Sequence, residues 1–265
     1  MEVFIRSVSI WGPGLEGWEV SRPILAGEQP YEPRPSPAPA PALLSPNERR
    51  RAGQVTRLAL AVAQEAAARA EMKPDTMRSV FGSSNGDAIV IHDILEALAS
   101  VDRPVSPTQF HNSVHNAAAG YWTIATESHQ PATSLGCHDH TMAASLLKAV
   151  AEARVEQKPV LLCLYDVPVP APLHAKRTTE CSFGAAFVLV PEDDGKTEAR
   201  IAVGYTAEPC RPGAEEPRQE ALRPLTRGNP AAESLRILEA VARRESDRFS
   251  IPYLDGRLDI TVTPC

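Results

Sequence analysis
Residues Cys137, His138, Asp139 and His140 are consecutive, so a thiol, two imidazoles and a carboxylate fall within one turn of chain. A thiol beside an imidazole is the pairing of a nucleophile with its general base. The base removes the proton, and the thiolate attacks an acyl carbonyl. Cys137, with His138 or His140 as base, is therefore one candidate for acyl-thioester transfer or hydrolysis. His111 and His115 stand four apart, a spacing that on a helix puts both on one face. With the 137–140 tetrad they supply donor types a metal ion would accept. The closing pair of ligands that a structural zinc site needs is missing, however, and adjacent side chains in a turn diverge. Neither a metal nor a cofactor is expected.

The elements around the tetrad are readable from pattern. Residues 133–136 read as a short strand and 139–154 as an amphipathic helix with Ala143, Leu146, Leu147 and Val150 on one face. The tetrad is thus expected in a strand-to-helix turn. Residues 160–165 form a continuous apolar run of the kind buried on both sheet faces. Cys163 inside it is expected to be an inert thiol. Further strands are predicted at 3–11, 78–82, 184–190, 201–205 and 258–262.

Helices are predicted at 89–99, with Ile91, Ile94, Leu95 and Leu98 on one side, and at 232–244. Residues 111–126 read as loop and helix, and 208–230 as a long loop. Ser45-Pro46-Asn47-Glu48 carries a capping serine, a proline at the first helical position and a glutamate three residues after the cap. It predicts one helix from there to about Ala70, with Arg49, Arg50 and Arg51 in its first turn as a solvated face or, alternatively, a contact to an acidic partner. Residues 29–44 are a proline-rich loop, with six prolines between Pro30 and Pro41. Strands alternating with helices predict an α/β fold, a layered mixed sheet with helices on both sides, in one domain spanning 1–265.

The balance of 265 residues, 43% hydrophobic and 23% charged, with a net charge of -6, is that of a globular chain. No basic patch points to nucleic acid. No apolar run nears the ~20 residues a membrane helix needs. The five cysteines are an odd, widely spaced set without a CxxC pair, which argues for a reducing compartment. With no signal-peptide pattern at the start, a cytoplasmic location is expected.

Three blocks resemble the ketosynthase family of the thiolase-like superfamily. The first runs from Phe110 through His111, Asn112, His115, Asn116, Gly120, Tyr121 and Trp122 to Ala125. It is similar to the family's asparagine-rich turn and dimer-interface helix. The second runs from Gln130-Pro131 through Asp139 to Tyr165, and the third from Cys181 to Val190. The resemblance implies a truncated thiolase-like fold. It also implies a nucleophilic cysteine at the strand-to-helix turn, where a helix N-terminus favours a thiolate. Counted without a gap, that position is Asp139, a helix-capping type rather than a nucleophile. Cys137 falls two residues early, ~6.6 Å of extended chain.

The family's two catalytic histidines lie in a second half, yet no histidine follows Val190. The resemblance therefore implies no catalytic residue in this chain. It implies a chain length factor of the aryl-polyene type, paired as a heterodimer with an active beta-ketoacyl-ACP synthase in polyketide or fatty-acid-type biosynthesis, and meeting acyl carrier protein through that pair. Phe110, Asn112, His115, Asn116, Tyr121, Trp122, Leu135 and His138 are the residues implied at the interface or acyl tunnel, with plain core packing as the alternative. The other open alternative is the stand-alone Cys137 enzyme.

Overall fold
The structure is a computed structural model that describes residues 1–37 and 41–265. The chain opens with strand β1 (Glu2–Gly12), the short β2 (Leu15–Glu16) and helix α1 (Trp18–Leu25). Helices α2 (Pro46–Arg51) and α3 (Gln54–Arg69) precede β3 (Arg78–Gly82). Next come α4 (Ala88–Ala99), α5 (Pro107–Asn112), α6 (Ala117–Ala125), β4 (Ala132–Leu135) and α7 (Thr141–Glu156). The chain continues through β5 (Val160–Asp166), β6 (Phe183–Val190), β7 (Ala199–Thr206), α8 (Leu235–Arg243), β8 (Asp247–Tyr253) and β9 (Gly256–Pro264).

All the strands join one sheet in the order β4-β3-β5-β6-β1-β7-β9-β8, with β2 on β1. The β3 pairs with β4 and β5 are parallel and the rest antiparallel, so the sheet is mixed, as the sequence implied. The apolar runs of β5 and β6 are buried at every residue because helices cover both faces. Side chains alternate between those faces. Leu161, Cys163 and Tyr165 pack with α3 and α6, whereas Leu162 and Leu164 pack with α7. Each such leucine stabilises the fold by roughly 1.5–3 kcal/mol. Cys163 is fully buried, its thiol pushed well up by desolvation, which matches an inert side chain.

The helix expected over residues 46–70 is two helices. Its capping box forms as anticipated, with Glu48 N donating to Ser45 Oγ (3.3 Å) and Ser45 N donating to Glu48 Oε2 (3.1 Å). The chain then turns extended at Ala52 (ψ 125°). Asp87 wedges in there, so close that a Cβ on Gly53 would lie 2.2 Å from Asp87 Oδ2. Because α2 is short, Arg49, Arg50 and Arg51 end in its last turn, where the helix dipole favours cations, and not in a disfavoured first turn.

Helix α1 and strands β2 and β8 went unread in the sequence, and α5 starts at Pro107, ahead of the loop and helix read at 111–126. The region 208–230 also holds a 3-10 turn at Glu220–Thr226 and is not wholly loop. Within the proline-rich stretch, residues 38–40 lie outside the described residues. The described parts, 29–37 and 41–44, have no helix or strand, and the first docks on the first hairpin through Trp11 Nε1, which donates to Ser36 O (3.1 Å).

Candidate functional site
The 137–140 tetrad sits in the expected strand-to-helix turn, between edge strand β4 and buried helix α7. His138 takes a left-handed backbone conformation (φ 54°) and starts one 3-10 turn. Thr141 pins that turn: its Oγ1 accepts from Cys137 N (3.0 Å) and donates to His138 O (2.7 Å). Asp139 does not cap α7. Its carboxylate is turned outward, 60% exposed, into an ion pair with Arg177, and receives His138 Nδ1 at 3.1 Å. His138 Nε2 faces Arg177 Nη1 at 3.2 Å, so the fitting tautomer carries its proton on Nδ1.

Arg177 is the hub of the turn. Its Nε donates to Asn85 Oδ1 (3.1 Å) and its Nη2 to Ser84 Oγ, tying the loop after β3 to Asp139. That loop is held from beneath by Asp166 at the end of β5. Asp166 Oδ1 accepts from Ser83 Oγ (3.0 Å), Ser84 N (2.8 Å) and Asn85 N (3.2 Å), and Oδ2 has no partner among the described residues. Burial pushes the Asp166 carboxyl up to about 7 against the pull of those donors and Arg177. Glu233 exposes part of its surface but is otherwise closely enclosed. Desolvation, with the charges of Glu215, Asp139 and Asp166, pushes it up to about 8.

Cys137 is half-buried. Neither neighbouring imidazole hydrogen-bonds to its sulfur: His138 is engaged by Asp139 and Arg177, and His140 Nδ1 faces Pro252 O at 3.3 Å. Chemically, the turn presents an ion-paired carboxylate where a strand-to-helix elbow would present a nucleophile. A carboxylate held by a guanidinium is stabilised as an anion and is a poor nucleophile toward a thioester.

Residues 26–248 match the family model described as beta-ketoacyl synthase, N-terminal domain. The chain belongs to the beta-ketoacyl synthase family. Among solved structures, it resembles a chain from the complex of a ketosynthase with its chain length factor from Xenorhabdus doucetiae, with TM-score 0.74, 19% identity, and 98% of this chain and 99% of that chain covered. A chain of the ishigamide ketosynthase/chain length factor gives TM-score 0.73 at 13% identity, covering 98% of each. A chain of a type II polyketide ketosynthase complex with its acyl-carrier protein gives 0.75 at 9%, covering 100% of this chain and 99% of that chain. At these identities the likeness is one of fold, and the fold is thiolase-like. None of the curated proteins matches the chain.

The other residues singled out in this ketosynthase-family chain divide into surface and interior. Phe110 (68% exposed) is at the surface with His115, Asn116 and His138. Asn112, Tyr121 and Trp122 are buried, and Leu135 is half-buried against the core. Asn112 Nδ2 donates to Arg51 O (2.7 Å) and its Oδ1 accepts from Tyr121 OH (3.2 Å). Trp122 packs on Phe81, ring centroids 6.3 Å apart. His111 and His115 do not share a helix face, because α5 ends at Asn112. His111 lies edge-on to Tyr121, while His115 Nε2 sits 2.8 Å from Ser83 O, against the elbow at Gly136. Among the described residues no group of three or more His, Cys, Asp or Glu side chains is placed to hold a metal ion, and no helix is long and apolar enough to cross a membrane.

Arg177, Asp166, Glu233 and the loop 83–87 were not anticipated. Asp166 left a signal, an acid closing a fully apolar run. So did Ser83-Ser84-Asn85-Gly86-Asp87, a polar loop directly after a strand. Arg177 left none, lying in an irregular segment whose neighbours give no period.

Proposed function
We propose that this chain is a non-catalytic, chain-length-factor-type subunit that pairs with an active beta-ketoacyl-ACP synthase. Through that pair it meets acyl carrier protein during polyene, polyketide or fatty-acid-type biosynthesis, with aryl polyene assembly as the favoured setting. The observation that carries the reading is the elbow itself. Asp139, ion-paired to Arg177, stands at the strand-to-helix turn, and no imidazole serves Cys137.

An apolar surface beside the elbow supports the pairing. Ile91, Leu95 and Leu98 of α4, with Val101, Phe110 and Ile124, are all exposed. A groove of about 400 Å3 runs between α5 and α6, lined by Phe110, His111, Val114, Tyr121 and Ile124 among others. Exposed apolar surface concentrated on neighbouring elements is the mark of an interaction site. Edge strand β4 adjoins it, with its outer hydrogen-bonding edge open.

The test is co-expression with the ketosynthase encoded beside it, followed by co-purification, condensation assay and intact-mass measurement after incubation with acyl thioesters. A stable pair, acylated only on the ketosynthase subunit and active only as a pair, is expected. A monomer that leaves the ketosynthase fully active alone, or acylation of Cys137, overturns the reading.

A further inference from the structure
At the end of the sheet opposite β4, the strands β7, β9 and β8 carry helical cover on one face only. Leu258, Ile260 and Val262 of β9 point into the core under α8, and Arg257 and Asp259 alternate to the other face. The loop leaving β7 skirts this rim. Loop and strands enclose an open cavity of about 820 Å3 whose lining includes four arginines, Arg211, Arg236, Arg248 and Arg257, against two acids, Glu208 and Asp259.

Two of these guanidinium groups are already occupied. Arg257 donates to Asp259 Oδ1 (2.9 Å), Glu208 Oε2 (3.3 Å) and Pro209 O (3.1 Å). Arg236 donates to Asp247 Oδ2 (2.8 Å) and Glu216 O (3.0 Å), and lies 5.1 Å over the Phe249 ring. They are fixed walls: Arg257 pairs with both acids of the lining, and Arg236 with the buried Asp247. Arg211, on the loop, and Arg248, on β8, are exposed and have no hydrogen-bond or ion-pair partner among the described residues.

Each free guanidinium is a planar fork of N–H donors shaped for an oxyanion. A cleft lined by excess positive charge concentrates anions, here on a chain whose net charge is -6. One carboxylate has two oxygens and is satisfied by one fork. Two forks from two different elements suit an anion with more oxygens and more charge, and the volume is that of a small-molecule site. We propose that this cavity binds a small phosphate-bearing ligand, a phosphate monoester or diphosphate, through Arg211 and Arg248. The cavity shares no lining residue with the elbow, and its proposed ligand does not depend on the subunit role.

The experiment is isothermal titration of the full chain with sodium pyrophosphate at fixed ionic strength, with citrate, poly-glutamate and matched sodium chloride as parallel arms. Saturable one-site binding is expected, weakened at least tenfold in Arg211→Ala and in Arg248→Ala and unchanged in Arg227→Ala. Arg227 is an exposed arginine outside the cavity. Pyrophosphate heats no larger than those of sodium chloride overturn the proposal. So do equal losses in Arg227→Ala, or binding of citrate or poly-glutamate but not pyrophosphate.

Discussion
Asp166 joins strong burial to an incomplete set of donors, and its carboxyl is displaced upward in consequence. A folded-state value of about 7, above the ordinary 3.8, means that the fold favours the protonated form. The stability linked to that proton is fully present below the unfolded value. It is lost as pH rises through about 7, and for Glu233 through about 8. For Asp166 the displacement corresponds to no more than about 4 kcal/mol. Asp166→Asn keeps an acceptor for the 83–85 loop and removes the titration. Its melting temperature should therefore fall less than that of the parent between pH 5 and 8, as differential scanning calorimetry will read. Parallel curves would exclude Asp166 as the source. Arg177→Ala removes the tie between Asp139 and Ser84-Asn85, at about 1–3 kcal/mol. Amide hydrogen exchange should quicken in residues 83–87 and 137–141 and stay unchanged in β6.

At the scale of elements, α4 is the clearest case of a helix whose stripe was legible and whose partner was not. Ile91, Leu95 and Leu98 follow helical spacing, yet they face outward. Leu95→Asp with Leu98→Asp should leave far-UV circular dichroism and melting temperature near parent values while abolishing co-purification with a ketosynthase. A retained pair would remove α4 from the interface. Gly82 on β3 is the opposite, a buried close approach. A Cβ there would meet Ser145 Oγ at 2.3 Å and Leu164 Cδ2 at 3.0 Å. Gly82→Ala should cost about 1–3 kcal/mol in urea unfolding, and Ser145→Ala in the same chain should return part of it.

These elements also show what sequence can tell. The capping box at Ser45, the apolar runs of β5 and β6 and the turn at 137–140 rest on local pattern, and all stand where the pattern puts them. The break at Gly53 depends on Asp87, distant in the chain, and Arg177 meets Asp139 from an irregular segment. Local periodicity carries neither contact. Strand β8 did leave a trace, since Asp247, Phe249 and Ile251 alternate inward, but Arg248 and Ser250 between them disguise a short edge strand.

Taken whole, the molecule is a sheet with two unlike ends. The β4 end adjoins exposed apolar helices and the elbow, and the β8 end a cavity of arginines. A partner that binds only the folded chain raises its stability by mass action. Adding purified ketosynthase should thus raise the melting temperature with concentration, and the rise should vanish in the Leu95/Leu98 aspartate variant. A melting temperature insensitive to the ketosynthase would count against pairing.

The ion pair at Asp139 also bears on how such a chain can evolve. Asp139→Cys would set a thiol beside the Arg177 guanidinium and near the start of α7, surroundings that lower a thiol's pKa. The sulfur would take an acyl group from a thioester, releasing the donor's thiol, but the imidazoles of the turn are held elsewhere, His138 by Arg177 and His140 by Pro252 O, and none is placed to carry the reaction onward. On the proposed role, a revertant would be a dead-end acyl trap that idles its partner. Selection would then hold the aspartate in place against the smallest step back toward catalysis.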